Sequence, residues 1–284
     1  MKLIQRYITK NPAYVANVKV QDSRYATFQK RGPLGLVLHS VGAAQPKAEN
    51  IAAYFDNAST EACAQAVLQA DGTVLQLMPW NYRAWHVGGE ANNTHVGIEM
   101  TEPGLDAIYY DKYYALHIAD REKALAFVKK TYAVAVELFA SLCKQYKLDP
   151  LKDGVILSHS ECHKRGIGSN HGDPEHLWNA TGSGYTMNTF RKAVAEKLEE
   201  MTMTQEVFNT MLQKALTQNV CNTVLQKAQP RIKTINDVPA SLKPETQELI
   251  DLGVLKGTDS KGTLNLTLGE LRCMIVNLRL HKMK

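Results

Sequence analysis

No stretch of this sequence approaches the roughly 20 apolar residues that a membrane-spanning helix needs. The opening residues, Met1-Lys2-Leu3-Ile4-Gln5-Arg6, lack the apolar run of a secretory leader. The expectation is therefore a protein made in the cytoplasm with no membrane span, which would reach any substrate outside by another route. Cysteine is scarce: Cys63, Cys143, Cys162, Cys221 and Cys273 are odd in number, far apart and without a CxxC pair. That argues against a disulfide framework and for reduced thiols. No HExxH is present, which excludes a thermolysin-like zinc helix. His159-Ser160-Glu161-Cys162 has the HxE of zinc deaminases, but the PCxxC half is missing. There is no repeat of fixed period and no low-complexity tract. Charge of one sign is not dominant either: the formal net charge of +5 suits attraction to an anionic surface and does not single out nucleic acid.

What is present is an ordinary globular composition. Hydrophobic residues make up 44% and charged residues 21% of 284, enough for a full-sized core and a small second unit. Residues 35–40 (GLVLHS) read as a buried strand, and residues 47–57 carry Ile51, Tyr54 and Phe55 at helical spacing. Asp71-Gly72 splits two apolar runs between residues 64 and 79 and predicts a hairpin. Residues 96–100 (VGIEM) and 154–158 (GVILS) are further short strands. Residues 120–146 form a long helix through Ala124, Phe127, Val128, Ala135, Leu138 and Leu142, and residues 187–200 a second through Phe190, Val194 and Leu198.

The pattern predicts an α/β fold, a mixed central sheet flanked by helices, with a small mainly helical C-terminal domain. The expected divisions are residues 1–200, a connector helix within 201–234, and a C-terminal domain over 235–284. That last part should hold a helix at 244–252, a Gly253 stop, a polar turn at 258–262 and a helix at 268–280.

The nine histidines are unevenly spread. His159, His163, His171 and His176 lie close together beside Glu161 and Asp173, while His39 ends a strand far upstream. A strand-end histidine brought to such a cluster completes a metal site. Zinc hydrolases use three protein ligands and leave one position for water, and imidazole and carboxylate both serve. Each residue also has a plainer reading. His39 could simply end a strand, Asp173 could start a turn before Pro174, and Glu99 could be a solvated carboxylate. Glu161 reads as an acceptor that orients a neighbour, and Cys162 has no base to activate it.

The segments GLVLHS, DGTVLQLMPWNYRAWHVGG, VGIEMTE and LSHSECHKRGIGSNHGDPEHLW, in that order, resemble the type 2 N-acetylmuramoyl-L-alanine amidases. These are relatives of phage endolysins and peptidoglycan recognition proteins, and the likeness covers residues 32–199. It implies Zn2+ bound by His39, His159 and Asp173, with Glu99 as the catalytic glutamate. His171 stands where the family often has a lysine that steadies the oxyanion, so it takes that role and is also a rival third ligand. His86 matches a segment lining the substrate groove, and Gln65 lies near a position where relatives carry an aromatic residue or histidine. Trp80 and Trp85 are expected to stack on sugar faces.

The expected function is hydrolysis of the lactyl–L-alanine amide of bacterial peptidoglycan, as an endolysin or autolysin acting on the cell wall. The alternatives are a non-catalytic peptidoglycan-binding module and a zinc hydrolase for a cytosolic anhydro-muropeptide. The C-terminal segments LIDLGVLKGT and LNLTLGELRCMIV loosely resemble one S-layer-homology-like motif, a module that holds wall polymers. The other reading of that unit is a helical appendage serving stability or a homodimer.

Overall fold

The computed structural model describes residues 1–216, 231–257 and 263–282. The chain divides into two compact units, Met1–Met201 and Thr202–Lys284. The first opens with strand β1 (Lys2–Gln5) and helices α1 (Pro12–Lys19) and α2 (Ser23–Arg31). Both helices begin at short polar caps: Asn11 accepts from the Ala13 amide at 2.9 Å, with Pro12 opening the first turn, and Asp22 accepts from the Arg24 amide at 2.8 Å. Then come β2 (Gly35–Ser40), α3 (Ala48–Phe55), β3 (Ala66–Leu68) and β4 (Thr73–Gln76). The β3–β4 hairpin turns through Asp71-Gly72, and Gly72 takes the left-handed φ of 91° that its missing Cβ permits.

Strand β5 (His95–Met100) precedes a two-stranded hairpin, β6 (Ile108–Tyr110) and β7 (Leu116–Ile118), and the long helix α4 (Arg121–Tyr146). The unit continues with β8 (Ile156–Ser158), α5 (His159–Lys164), α6 (Glu175–Thr181) and the first half of α7 (Met187–Leu216), a helix that runs on past Met201.

The main sheet has the order β1-β4-β3-β5-β2-β8, and every neighbouring pair is parallel except the β3–β4 hairpin. This is the mixed, helix-flanked sheet that the sequence pattern calls for. Alternation along each strand sorts residues to two faces. Leu36, Leu38, Val96, Ile98 and Met100 pack with Leu138 and Phe139 of α4, Trp178 of α6 and Phe190 of α7. Val37 and Leu157 pack instead with Val87, Ala91 and Cys162. By the same parity His39 belongs with Val37, and Glu99 lies opposite the Met100 side. Glu99 is also the register partner of His39, so both side chains emerge together at the carboxyl end of parallel strands. In open α/β sheets that end is where ligands bind.

The second unit contains β9 (Arg231–Ile232), α8 (Lys243–Asp251), β10 (Leu266–Thr267) and α9 (Leu268–Lys282). β9 and β10 pair antiparallel, and Leu249, Leu271 and Ile275 centre a small core. Lys282 bonds Glu248 at 2.6 Å between the two helices. Helix α7 runs beyond the expected end at residue 200 to Leu216. Residues 201–216 contain no Gly or Pro, and ten of the sixteen are Met, Gln, Leu, Glu, Lys or Ala, all good helix formers, so nothing in them stops a helix. Residues 217–230 of the expected connector, and the expected polar turn at 258–262, lie outside the described residues. Among the described residues no helix is long and apolar enough to cross a membrane.

Phe190 is fully buried, with ring centroids of Phe139 and Tyr132 at 5.0 and 5.4 Å. Phe190→Ala should cost about 3–5 kcal/mol. Urea unfolding checks this as a lowered midpoint at unchanged slope.

Candidate active site

His39 ends β2 on a fully buried strand, and His159 is the first residue of α5, directly after β8. Helix α5 is turned off the strand by a capping box in which Ser158 and Glu161 satisfy each other's backbone amides. Asp173 arrives on the loop that follows, and Ser40 donates its amide to Asp173 Oδ2 at 3.4 Å. Three donor atoms thereby meet. His39 Nδ1 lies 3.1 Å from Asp173 Oδ2 and 3.1 Å from His159 Nδ1, and His159 Nδ1 lies 3.4 Å from Asp173 Oδ1. These three residues form a buried group able to hold one metal ion.

The surrounding hydrogen bonds decide which nitrogens are bare. His86 Nε2 lies 3.1 Å from the His95 carbonyl, which can only accept. Burial pulls the His86 imidazole well below its ordinary pKa, so the ring is neutral and its Nδ1 is an acceptor. His39 Nε2 lies 2.9 Å from that Nδ1 and must donate to it. His39 is itself lowered, with burial the largest cause. Its remaining lone pair, on Nδ1, therefore faces the cluster. For His159, Ser169 Oγ donates to the Val87 carbonyl at 3.2 Å and accepts from Nε2 at 3.0 Å. This again leaves Nδ1 toward the cluster. Asp173, buried beside them, brings a carboxylate to the same point. Two imidazole lone pairs and a carboxylate aimed at one point form a donor set suited to a divalent cation.

Above this point opens a cavity of about 690 Å³, lined by His39, His86, Glu99, His159, His171 and Asp173 among others. Glu99 reaches it from the end of β5. Its Oε2 is buried and makes no hydrogen bond among the described residues. Burial, with Asp173 and Glu102 adding their charge, pushes the Glu99 carboxyl well above its ordinary pKa.

Of the expected site residues, the structure brings His39, His159 and Asp173 to one point and places Glu99, His86 and His171 on the cavity wall. His171 does not reach the point itself: its Nδ1 lies 3.2 Å from Nε2 of His159, the nitrogen turned away from the cluster. His86 makes its contact through His39 rather than from a separate stretch of groove. Three expectations do not fit. Gln65 is fully buried, donating to the Tyr82 carbonyl at 2.8 Å and accepting the Gly97 amide at 2.7 Å, so it braces the sheet out of a substrate's reach. Trp80 packs against the α4-side core. Trp85 packs on the opposite core and donates to the Tyr25 hydroxyl at 3.2 Å. Neither tryptophan lines the cavity. Glu161 pairs with Arg191 at 2.9 Å rather than with a histidine. Cys162 is buried, and burial pushes its thiol up to about 12, which leaves no thiolate.

The sequence reading passed over a second polar group on the cavity wall. Tyr110 donates to the fully buried Glu102 at 2.5 Å, and His176 Nε2 lies 2.8 Å from the Tyr110 oxygen. Glu102 also accepts the Gly42 amide at 3.0 Å. The one available signal was the carboxylate three positions after Glu99, beyond the strand end.

A sequence profile described as N-acetylmuramoyl-L-alanine amidase matches residues 29–176 of the chain. None of the curated proteins matches it in sequence. In three dimensions the chain is similar to the Staphylococcus aureus hydrolase AmiA, solved with its ligand. Identity there is 19%, covering 70% of this chain and 83% of that one, at a TM-score of 0.52. It is also similar to a mutant endolysin from Bacillus subtilis, at 17% identity over 68% of this chain and 99% of that one, with a TM-score of 0.43.

Gly97 lies beneath His86, where an added Cβ would sit 2.3 Å from His86 Cγ. Gly97→Ala should therefore displace the His86 ring and break its bond to His39, at a cost of about 1–3 kcal/mol. A thermal melt reads the stability, and loss of the His39 ring N–H signal in proton NMR reads the broken relay.

Proposed function

The chain belongs to the N-acetylmuramoyl-L-alanine amidase family, and on that premise we propose that it is a zinc-dependent enzyme hydrolysing the lactyl–L-alanine amide of peptidoglycan. His39, His159 and Asp173 would hold the zinc. The observation that carries this reading is the meeting of their three donor atoms under a cavity that Glu99 also enters. A bound zinc supplies Lewis-acid chemistry, polarising a carbonyl and bringing the deprotonation of water to about neutral pH.

The protein's own groups do the rest. Glu99 takes the proton of the attacking water and delivers it to the leaving L-alanine nitrogen. Its raised pKa suits both halves of that transfer, because a carboxylate poised nearer the working pH accepts and releases a proton with less cost. His171, on the exposed side of the cavity, donates to the oxygen that becomes negative. The relay from the His95 carbonyl through His86 keeps the His39 lone pair directed inward. The roles of endolysin or autolysin, and of the C-terminal unit as a holder of wall polymers, belong to the same proposal. So does action on the cell wall after release or export.

Digestion of purified peptidoglycan, followed by mass spectrometry of the fragments, should show peptides with a new amino-terminal L-alanine. A chelator should abolish the release and added zinc restore it. Intact zinc with no peptide released would leave only a binding module. Glu99→Gln should lower kcat by about 10²–10⁴-fold while retaining zinc. A variant as active as the parent would remove Glu99 from the mechanism.

A further inference from the structure

The β6–β7 hairpin rises beside the catalytic cavity and carries three exposed tyrosines, Tyr109, Tyr113 and Tyr114. Two have their rings engaged. Tyr109 stacks on His117 at 4.8 Å and 9° between planes, and the Lys112 ammonium lies 4.9 Å from the Tyr113 centroid. Tyr114 differs: it is 86% exposed, lines the cavity, and has no ring partner among the described residues.

An exposed tyrosine on a loop is usually mobile, but this one is built in. Asp111 Oδ1 accepts the amides of Tyr113 and Ala115 at 2.8 and 3.0 Å, and its Oδ2 bonds His117 at 3.1 Å. The Tyr114 amide bonds the Asp111 carbonyl at 3.0 Å, and the Asp111 amide bonds the Ala115 carbonyl at 3.1 Å. These contacts hold Tyr114 at a φ of 61°, a left-handed conformation that a bulky residue adopts only when its surroundings impose it. At the hairpin's base, Tyr110 is tied to Glu102 and His176, a few residues beyond Asp173. The fold thus spends backbone strain to present one free aromatic face at the mouth of the cavity.

The geometry points to Tyr114 as a saccharide-binding platform that seats the N-acetylmuramic acid ring of the substrate. This inference rests on the amidase reading, which places a sugar on the carbonyl side of the bond and an amino acid on the other. Of those two flanking groups only the sugar offers a ring with a flat C–H face for an aromatic to cover. A tyrosine supplies that apolar area with few rotatable bonds to order on binding, and a hydroxyl for the polar edge. It takes the part expected of Trp80 and Trp85, which the fold packs against its cores, away from the cavity.

The test is titration of the protein with a peptide-free glycan of alternating N-acetylglucosamine and N-acetylmuramic acid, followed by calorimetry and amide NMR. The wild type should bind saturably, with shifts concentrated at residues 109–118. Tyr114→Asn keeps a residue that tolerates positive φ and removes the ring. It should bind about tenfold more weakly, a change of about 1.4 kcal/mol, and Tyr114→Trp should bind at least as tightly as the wild type. Unchanged affinity in Tyr114→Asn, shifts that avoid the hairpin, or no saturable binding by the wild type would each overturn the platform. The glycan contains no scissile amide, so glycan binding without wall hydrolysis would sink the amidase reading alone. Hydrolysis without glycan binding would sink only the platform.

Discussion

The lone pair on His39 Nδ1 can meet Asp173 and His159 only because the other ring nitrogen is committed elsewhere. That commitment is a chain of two hydrogen bonds, from the His95 carbonyl through His86 to His39 Nε2. It depends on burial, which keeps both rings neutral. Much of the surrounding sheet serves this arrangement. Gly97 leaves room for the His86 ring, Gln65 bonds the Gly97 amide, and parallel β2 and β5 set His39 level with Glu99. If any of these moved, the donor atoms would remain in the sequence but would not share a point.

Two polar groups meet on the cavity wall and have separate tasks. The histidine–aspartate cluster gathers electron-rich atoms at its floor, whereas Tyr110, Glu102 and His176 close their hydrogen bonds among themselves and the Gly42 amide. The second group fastens the β6–β7 hairpin to the wall, so the aromatic rim and the histidine–aspartate floor are held in one frame. Glu99 stands between them, and its Oε2 has no hydrogen-bond partner among the described residues.

The sequence by itself determined the strands GLVLHS and VGIEM, the Asp71-Gly72 hairpin and the long helix ended at Tyr146, because each follows from local periodicity or turn chemistry. It also marked His39, His159, Asp173 and Glu99 through motifs held in a fixed order. The amino-terminal helices α1 and α2 were legible in principle from Asn11-Pro12 and Asp22-Ser23, whose caps are local. Only the tertiary structure decided the rest. Gln65 lies near a position where relatives carry an aromatic residue or histidine, and Trp80 and Trp85 have rings suited to sugar faces, yet a residue's type does not say which face of a sheet it will occupy. The short β6–β7 hairpin carries too little periodicity to announce itself, and its Tyr114 matters through a position over the cavity that no spacing encodes. Which imidazole nitrogen faces the cluster likewise depends on carbonyls and rings contributed by distant segments, and those meet only when the chain has folded.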